Sequence, residues 1–304
     1  MARDATEKQP GQRFAEELRN FEEIATALSP SPGELPQLRG IDICGLSIPL
    51  EEIIGGDHII YIDFGKRYDL DTRVEEAEKG GRPEVAAQLR RLRQRAGILV
   101  ADVSGHRVTD ALIAAMLHQA FLLGVYYELD LFGEITTRIF EHINTRFHQT
   151  SLINKYFTMI YGEIQEGGKF RFISSGHQPP AVFSREFGRF MPISKDRLVS
   201  LPPVGMLPSV ADPDGRRHPR LDRYKKRYHV NEINLLAVGD ILLLATDGLT
   251  EHAGGTYFPG EVERLLAGMP HESAAEICRR LREDLVRHAP PEDDVSVVVI
   301  RKAS

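Results

Sequence analysis

The sequence predicts an α+β protein of antiparallel strands and amphipathic helices. Apolar runs of strand length recur along it: Gly40–Leu50, His58–Phe64, Tyr156–Ile164, Lys169–Ser174, Ile241–Ala245 and Asp294–Arg301. Two of these join through Glu166-Gly167-Gly168, a hairpin turn signal that makes the pair antiparallel. Between the strands lie stretches with a helical period: Val108, Ala111, Leu112, Ala115 and Gln119, and later Ile135, Ile139 and Ile143.

The bulk composition narrows the classes. A chain of 304 residues holds one large domain or two small ones. Its 42% hydrophobic and 27% charged content is that of an ordinary globular protein. The net charge, 38 − 44 = −6, gives nucleic-acid binding no support as the main task. No apolar run approaches the roughly 18 residues that span a bilayer, and the N-terminus has no apolar signal core. Cys44 and Cys278 stand far apart, so a disulfide framework is not expected and a reducing cytoplasm is. Neither begins a C-x5-R phosphate loop, because the sixth positions onward are Leu50 and Asp284. A Walker A loop and an H-E-x-x-H helix are also missing.

Taken in order, residues 12–28 carry Phe14, Leu18, Phe21, Ala25 and Leu28 on one stripe of a helix, which packs on its own domain or on a second copy of the chain. A proline-containing linker reaches Pro36, so the main domain is expected over 37–304. Gly40–Leu50 and His58–Phe64 flank Gly55-Gly56-Asp57 and read as an antiparallel pair. Residues 69–96 are rich in charge and broken by Gly80-Gly81, which predicts an inserted helical hairpin whose basic end (Arg90, Arg91, Arg93, Arg95) is solvated or docks a partner. The strand Ile98–Ala101 delivers Asp102 into Ser104-Gly105 before the Val108 helix. Leu131–Phe147, Glu261–Leu266 and Ser273–Val286 are further helices, Ala181–Ser184 is a short strand, and 185–229 mixes Pro, Gly and charge without a clear period.

Asp57, Asp102, Asp247 and Asp293 each sit at an end of an apolar strand beside a glycine or another acid. Converging carboxylates repel unless a cation lies between them. Oxygen ligands without a Cys or His cluster suit Mg²⁺ or Mn²⁺, not zinc.

The stretches IGGDHIIYIDF, VADVSGHRVTDALIAAMLHQA, LLLATDGLTE and PPEDDVSVVVIRK resemble the core motifs of the SpoIIE/RsbU-type bacterial phosphatases, within the metal-dependent (type-2C, PPM) serine/threonine protein phosphatases. SSGHQPPAVF and PPVGMLP also resemble loops of that family. The resemblance implies an α-β-β-α four-layer sandwich, two antiparallel sheets flanked by helices, with two Mn²⁺ or Mg²⁺ ions at one edge. By motif match, Asp57 and Asp102 would hold the first ion with the Val103 carbonyl, and Asp247 and Asp293 would complete the second. Asp294 would stand behind the ligands. A metal-activated water would then hydrolyse phosphoserine or phosphothreonine. The implied substrate is an anti-anti-sigma (STAS-type) protein in a partner-switching pathway. His58, His106 and His177 are candidates to protonate the leaving oxygen.

Two positions depart from the family pattern. Ile60 replaces an acid three residues after Asp57, and Arg107 replaces a glycine, where it reaches a phosphate or lies at the surface. Asp63 shares a pleat face with Asp57 but lies about 20 Å along an extended strand and cannot substitute. These departures motivate an alternative, a weak or inactive phosphatase-like module that sequesters a regulatory partner.

Overall fold

The computed structural model describes residues 11–12, 16–17, 19–20, 23–24, 34–50, 55–103, 108–150, 156–194, 197–214, 223–235 and 237–304. Strands β1 (Ile41–Ile48), β6 (Ala181–Ser184), β7 (Arg189–Met191), β10 (Ile241–Ala245) and β11 (Val295–Lys302) form one antiparallel sheet in the order β1-β11-β10-β6-β7. A second sheet runs β2 (Asp57–Asp63), β3 (Arg95–Val103), β4 (Phe157–Gln165), β5 (Lys169–Ser175) and β8 (Ser200–Leu201), with β9 (Asn231–Asn234) also on β5. Every pairing is antiparallel except β5 with β8.

The layers follow from strand alternation. In β3, Ala96, Ile98 and Val100 face the other sheet and meet Ile41, Ile43, Leu242, Leu244, Val298 and Ile300. Leu99, Ala101 and Val103 face outward onto helices. Those helices are α1 (Phe64–Arg67), α2 (Leu70–Lys79), α3 (Pro83–Leu92), α4 (Val108–Phe132) and α5 (Thr137–Thr150). On the far side α6 (Asp247–Thr250), α7 (His252–Gly255), α8 (Gly260–Ala267) and α9 (Ala274–His288) cover the first sheet, with Ile277, Leu281 and Leu285 packed on Val295, Val297 and Val299. The result is the predicted α-β-β-α sandwich.

Several boundaries are set by local chemistry. Asp69 caps α2 by accepting from the Thr72 N–H, Pro83 opens α3, and Ser273 caps α9 by accepting from the Glu276 N–H. Gly133, at φ 71°, ends α4. Residues 131–132 therefore belong to α4, and the helix expected from Leu131 begins at Thr137.

Three expectations are corrected. β1 pairs with β11, not with β2. Ile41 and Ile43 of β1 and Ile59 and Tyr61 of β2 all face the inter-sheet core, while their opposite faces meet different helix layers, so the strands stack across the sandwich. On α4 the buried stripe is Ala111, Ala114, Leu117, Phe121, Val125 and Leu129, whereas Leu112 is 51% exposed and Gln119 is exposed. The expected stripe was out of phase because α4 is apolar nearly all round. Its 23 residues Asp110–Phe132 are long and apolar enough to cross a membrane by length and composition, contrary to the reading of runs alone. Here one face of that helix is packed on the second sheet.

Residues 69–96 form the α2–α3 hairpin followed by the start of β3. Its apolar face is part of the core: Leu70, Val74, Ala77, Ala86, Leu89 and Leu92 pack with β2 and β3. Arg95 lies in β3 and bonds Glu163 at 3.2 Å, while Arg90 pairs with Glu78 and Arg93 with Asp71. The described residues between 11 and 24 are helical, but the stripe Phe14, Leu18, Phe21, Ala25 and Leu28 lies outside the described residues, and with it the dimer contact expected there.

Candidate functional site

The four aspartates come from both sheets. Asp57 opens β2 and stands directly opposite Asp102 of β3. Both occupy the pleat face that looks toward the first sheet, since Ile59 and Tyr61, and Ile98 and Val100, share their parity and lie in the inter-sheet core. From the first sheet, Thr246 at the end of β10 donates through Oγ1 to Asp57 Oδ2 at 2.7 Å. Asp247 follows it as the first residue of α6. Asp293 precedes β11, is exposed, and accepts from the Asp294 N–H at 2.8 Å.

Electrostatics couples these groups. Burial pushes the Asp57 carboxyl well above its usual range, and the facing Asp102 adds to the rise against the Thr246 hydrogen bond. Asp102 is raised to about 7 by burial and then by Asp247, Asp293 and Asp294. Asp247 is raised by burial, by Asp293 and by Glu251. The leading causes of these three shifts are burial and neighbouring carboxylates. Like charges directly opposed across a ladder destabilise it unless something else compensates.

Asp294 plays a different part. Buried to 4% exposure, it accepts from the Leu50 N–H at 2.7 Å and the Gly56 N–H at 2.6 Å, and so holds the chain ahead of Asp57. The approach is close enough to demand glycine twice. A Cβ on Gly55 would lie 2.3 Å from Asp294 Oδ2, and one on Gly248 2.0 Å from the Asp294 carbonyl. Thr246 is fixed in turn by β11: it accepts from the Ser296 N–H at 3.0 Å and donates its own N–H to the Ser296 carbonyl at 3.0 Å.

The remaining candidates separate. Val103 ends β3 with its side chain in the helix-side core, and its N–H donates to the Gly56 carbonyl at 3.3 Å. His58 lies on the opposite pleat face from Asp57, where its Nε2 meets His118 Nδ1 of α4 at 2.8 Å. Burial, with His118 beside it, holds His58 neutral, down to about 3. That geometry turns it away from the acids. His177 is buried, meets Thr158 Oγ1 through Nδ1 at 2.9 Å, and is held neutral by burial, down to about 4. Thr158 stands opposite Asp102 in the β3–β4 ladder, which puts His177 one residue removed from the acids. His106 and Arg107 lie outside the described residues. Asp63 sits at the far end of β2, where it caps α1 through the Lys66 N–H. Ile60 is 2% exposed and packs on the helix side, so an acid there would not share the pleat face of Asp57.

The sequence reading missed Thr246, whose hydroxyl ties Asp57 to the other sheet. Its only signal is its place immediately before Asp247. It also missed Glu251, one helical turn beyond Asp247. Among the described residues no three His, Cys, Asp or Glu side chains stand close enough together to hold an ion as they are. The donor chemistry nevertheless fits a hard divalent cation: carboxyl groups whose titration is raised first by burial and then by one another.

The profile of the family described as Stage II sporulation protein E (SpoIIE) matches residues 93–303, which include Asp102, Asp247 and Asp293. The chain belongs to the SpoIIE family. Its fold is that of PP2C-type phosphatase domains. The SiaA-PP2C domain of Pseudomonas aeruginosa superposes with a TM-score of 0.61 at 14% identity, covering 96% of this chain and 98% of that one. The RsbU and RsbW domains of Rv1364c from Mycobacterium tuberculosis give 0.59 at 20% identity, over 88% of this chain and 61% of that one. The PP2C domain with a regulatory fragment of SpoIIE from Bacillus subtilis gives 0.57 at 15% identity, over 86% and 64%. The chain thus spans less than two thirds of two of these three neighbours. No curated protein sequence matches it.

Proposed function

We propose that this SpoIIE-family domain hydrolyses phosphoserine or phosphothreonine on a protein, using divalent cations, Mn²⁺ or Mg²⁺, held by Asp57, Asp102, Asp247 and Asp293 with the Val103 carbonyl. The observation that carries the reading is the facing pair Asp57–Asp102, raised together with Asp247 by burial and mutual repulsion. A bound divalent pair supplies Lewis-acid activation of water and neutralises phosphoryl charge. The chain supplies the frame. Thr246 orients Asp57, Asp294 clamps the backbone ahead of it, and Gly248 lets α6 start against β11. The two cysteines lie elsewhere: Cys278 is in the core under α9, and Cys44 packs against that core from β1. Water is therefore the nucleophile that this architecture supports.

The partner is proposed from the sequence resemblance, an anti-anti-sigma protein of the STAS type in the cytoplasm. The M. tuberculosis neighbour, which joins RsbU and RsbW domains, supports a place in partner switching. A second reading, a module that binds such a partner without turning it over, is favoured by one observation, that no three acids stand at ion-holding distance among the described residues. Phosphate release from a phosphoserine STAS protein and from p-nitrophenyl phosphate, with and without Mn²⁺, separates the two. The enzyme reading expects manganese-dependent release that Asp102→Asn abolishes. Binding of the phosphoprotein without release supports the module instead.

A further inference from the structure

A cavity of 500 Å³ opens beside the edge of the first sheet, lined by β5 and β8 of the second sheet and by Ala181, Phe190, Leu243 and Ala245 on the helix side of β6, β7 and β10. The SSGHQPPAVF stretch, which the acid site leaves without a role, forms part of its wall. Phe172, Phe190, Met191, Ile193 and Phe258 make the wall apolar and aromatic. Among the described residues no Asp, Glu, Lys or Arg lines it. Several polar side chains on the wall are already engaged, and His177 Nε2 is buried with no hydrogen-bond partner among the described residues. Ser174 Oγ meets Ser200 Oγ at 2.9 Å, and Asn231 both accepts from the Val199 N–H and donates to the Val199 carbonyl, at 2.8 and 2.9 Å. His177 spends its Nδ1 on Thr158 and is held neutral.

We propose that this cavity is a binding site for a small, uncharged, largely apolar organic molecule of ring type. Its volume falls within the range of small-molecule pockets and exceeds what one protein side chain fills. Entry of such a molecule buries apolar surface on both sides of the contact. An ion would be desolvated against a wall that offers no counter-charge. The site is distinct from the acid cluster yet adjacent to it: Leu249 and Thr250 form part of the wall, and Asp247 begins the same short helix.

The test is a fluorescence titration of the full chain into prodan, a neutral naphthalene ketone whose emission shifts to the blue in apolar surroundings. The expected result is saturable one-to-one binding with a Kd on the order of 100 µM or tighter. The anionic dye 1-anilinonaphthalene-8-sulfonate should bind at least about tenfold more weakly. Met191→Trp narrows the cavity and Ile193→Glu places a charge in it. Each should weaken prodan at least about tenfold while the circular dichroism and melting temperature stay at wild-type values. If Met191→Trp does not fold, Ile193→Glu and the wild-type comparison of the two dyes decide. Absence of saturation, equal binding of the anionic dye, or unchanged prodan binding in the folded variants overturns the assignment.

Discussion

Replacing Asp102 by Asn should stabilise the metal-free protein at alkaline pH while destroying its affinity for divalent cations. The Asp102 carboxyl rises from the ordinary 3.8 to about 7, first through burial and then through Asp247, Asp293 and Asp294. At 1.36 kcal/mol per unit, ionising it costs the fold about 4 kcal/mol relative to the unfolded chain. Solvent screening and side-chain relaxation bring that to about 2 kcal/mol. The folded carboxyl keeps its proton between pH 3.8 and about 7, where the unfolded chain has lost it. Stability therefore falls as pH rises through that window and levels off above it. Asn has no proton to lose. In EDTA at pH 8 the variant should exceed wild type by about 2 kcal/mol in urea denaturation, or about 4 °C in melting temperature, and match it near pH 4. Mn²⁺ should raise the melting temperature of wild type and leave the variant unmoved. A variant less stable than wild type at pH 8 in EDTA, or one with the same pH slope, refutes the argument that these acids repel in the absence of an ion.

Three other substitutions probe the frame. Gly248→Ala puts a Cβ 2.0 Å from the Asp294 carbonyl, so it should cost about 2–4 kcal/mol by chemical denaturation and weaken Mn²⁺ binding in calorimetry. Thr246→Val removes the donor to Asp57 and the acceptor for the Ser296 N–H, which should cost about 1–3 kcal/mol with little change in shape. Lys225→Met deletes a buried ammonium 2.8 Å from Glu141 Oε2 and leaves Glu141 buried. It should lose about 3 kcal/mol of stability at pH 8 with Mn²⁺ affinity unchanged, because Glu141 ties α5 to Lys225 and Tyr228 away from the acids.

Much of the fold is local and therefore readable in the chain. β6 and β10 coincide with their apolar runs, and the Glu166-Gly167-Gly168 turn joins β4 to β5 as its residue types require. The misreadings have a common cause: partners distant in sequence. Nothing within Gly40–Phe64 says that β1 will take β11 as its neighbour, since that choice is made by side chains about 250 residues away in the ladder Ile41↔Lys302 to Ile48↔Val295. α4 shows the limit of periodicity on a helix that is apolar nearly all round. Leu112, Met116, Leu123, Tyr127 and Leu131 remain exposed although their residue types suit a core as well as Leu117 and Leu129 do. β8 and β9 are too short to carry a period, and their places depend on pairing with β5. At the site, the strand ends drew attention to the four acids, but the facing of Asp57 and Asp102 depends on the β2–β3 register. The Thr246 bond depends on the two sheets stacking.

Isothermal titration of Mn²⁺ into the metal-free protein, beside Asp102→Asn and Asp247→Asn, tests most directly whether the four aspartates act together on divalent cations. The expected result is binding of two ions by wild type, with release of protons near pH 7 as Asp102 gives up its own, and loss or halving of that binding in each variant. No binding up to millimolar Mn²⁺, or the same binding in all three proteins, contradicts a cation site built from these residues.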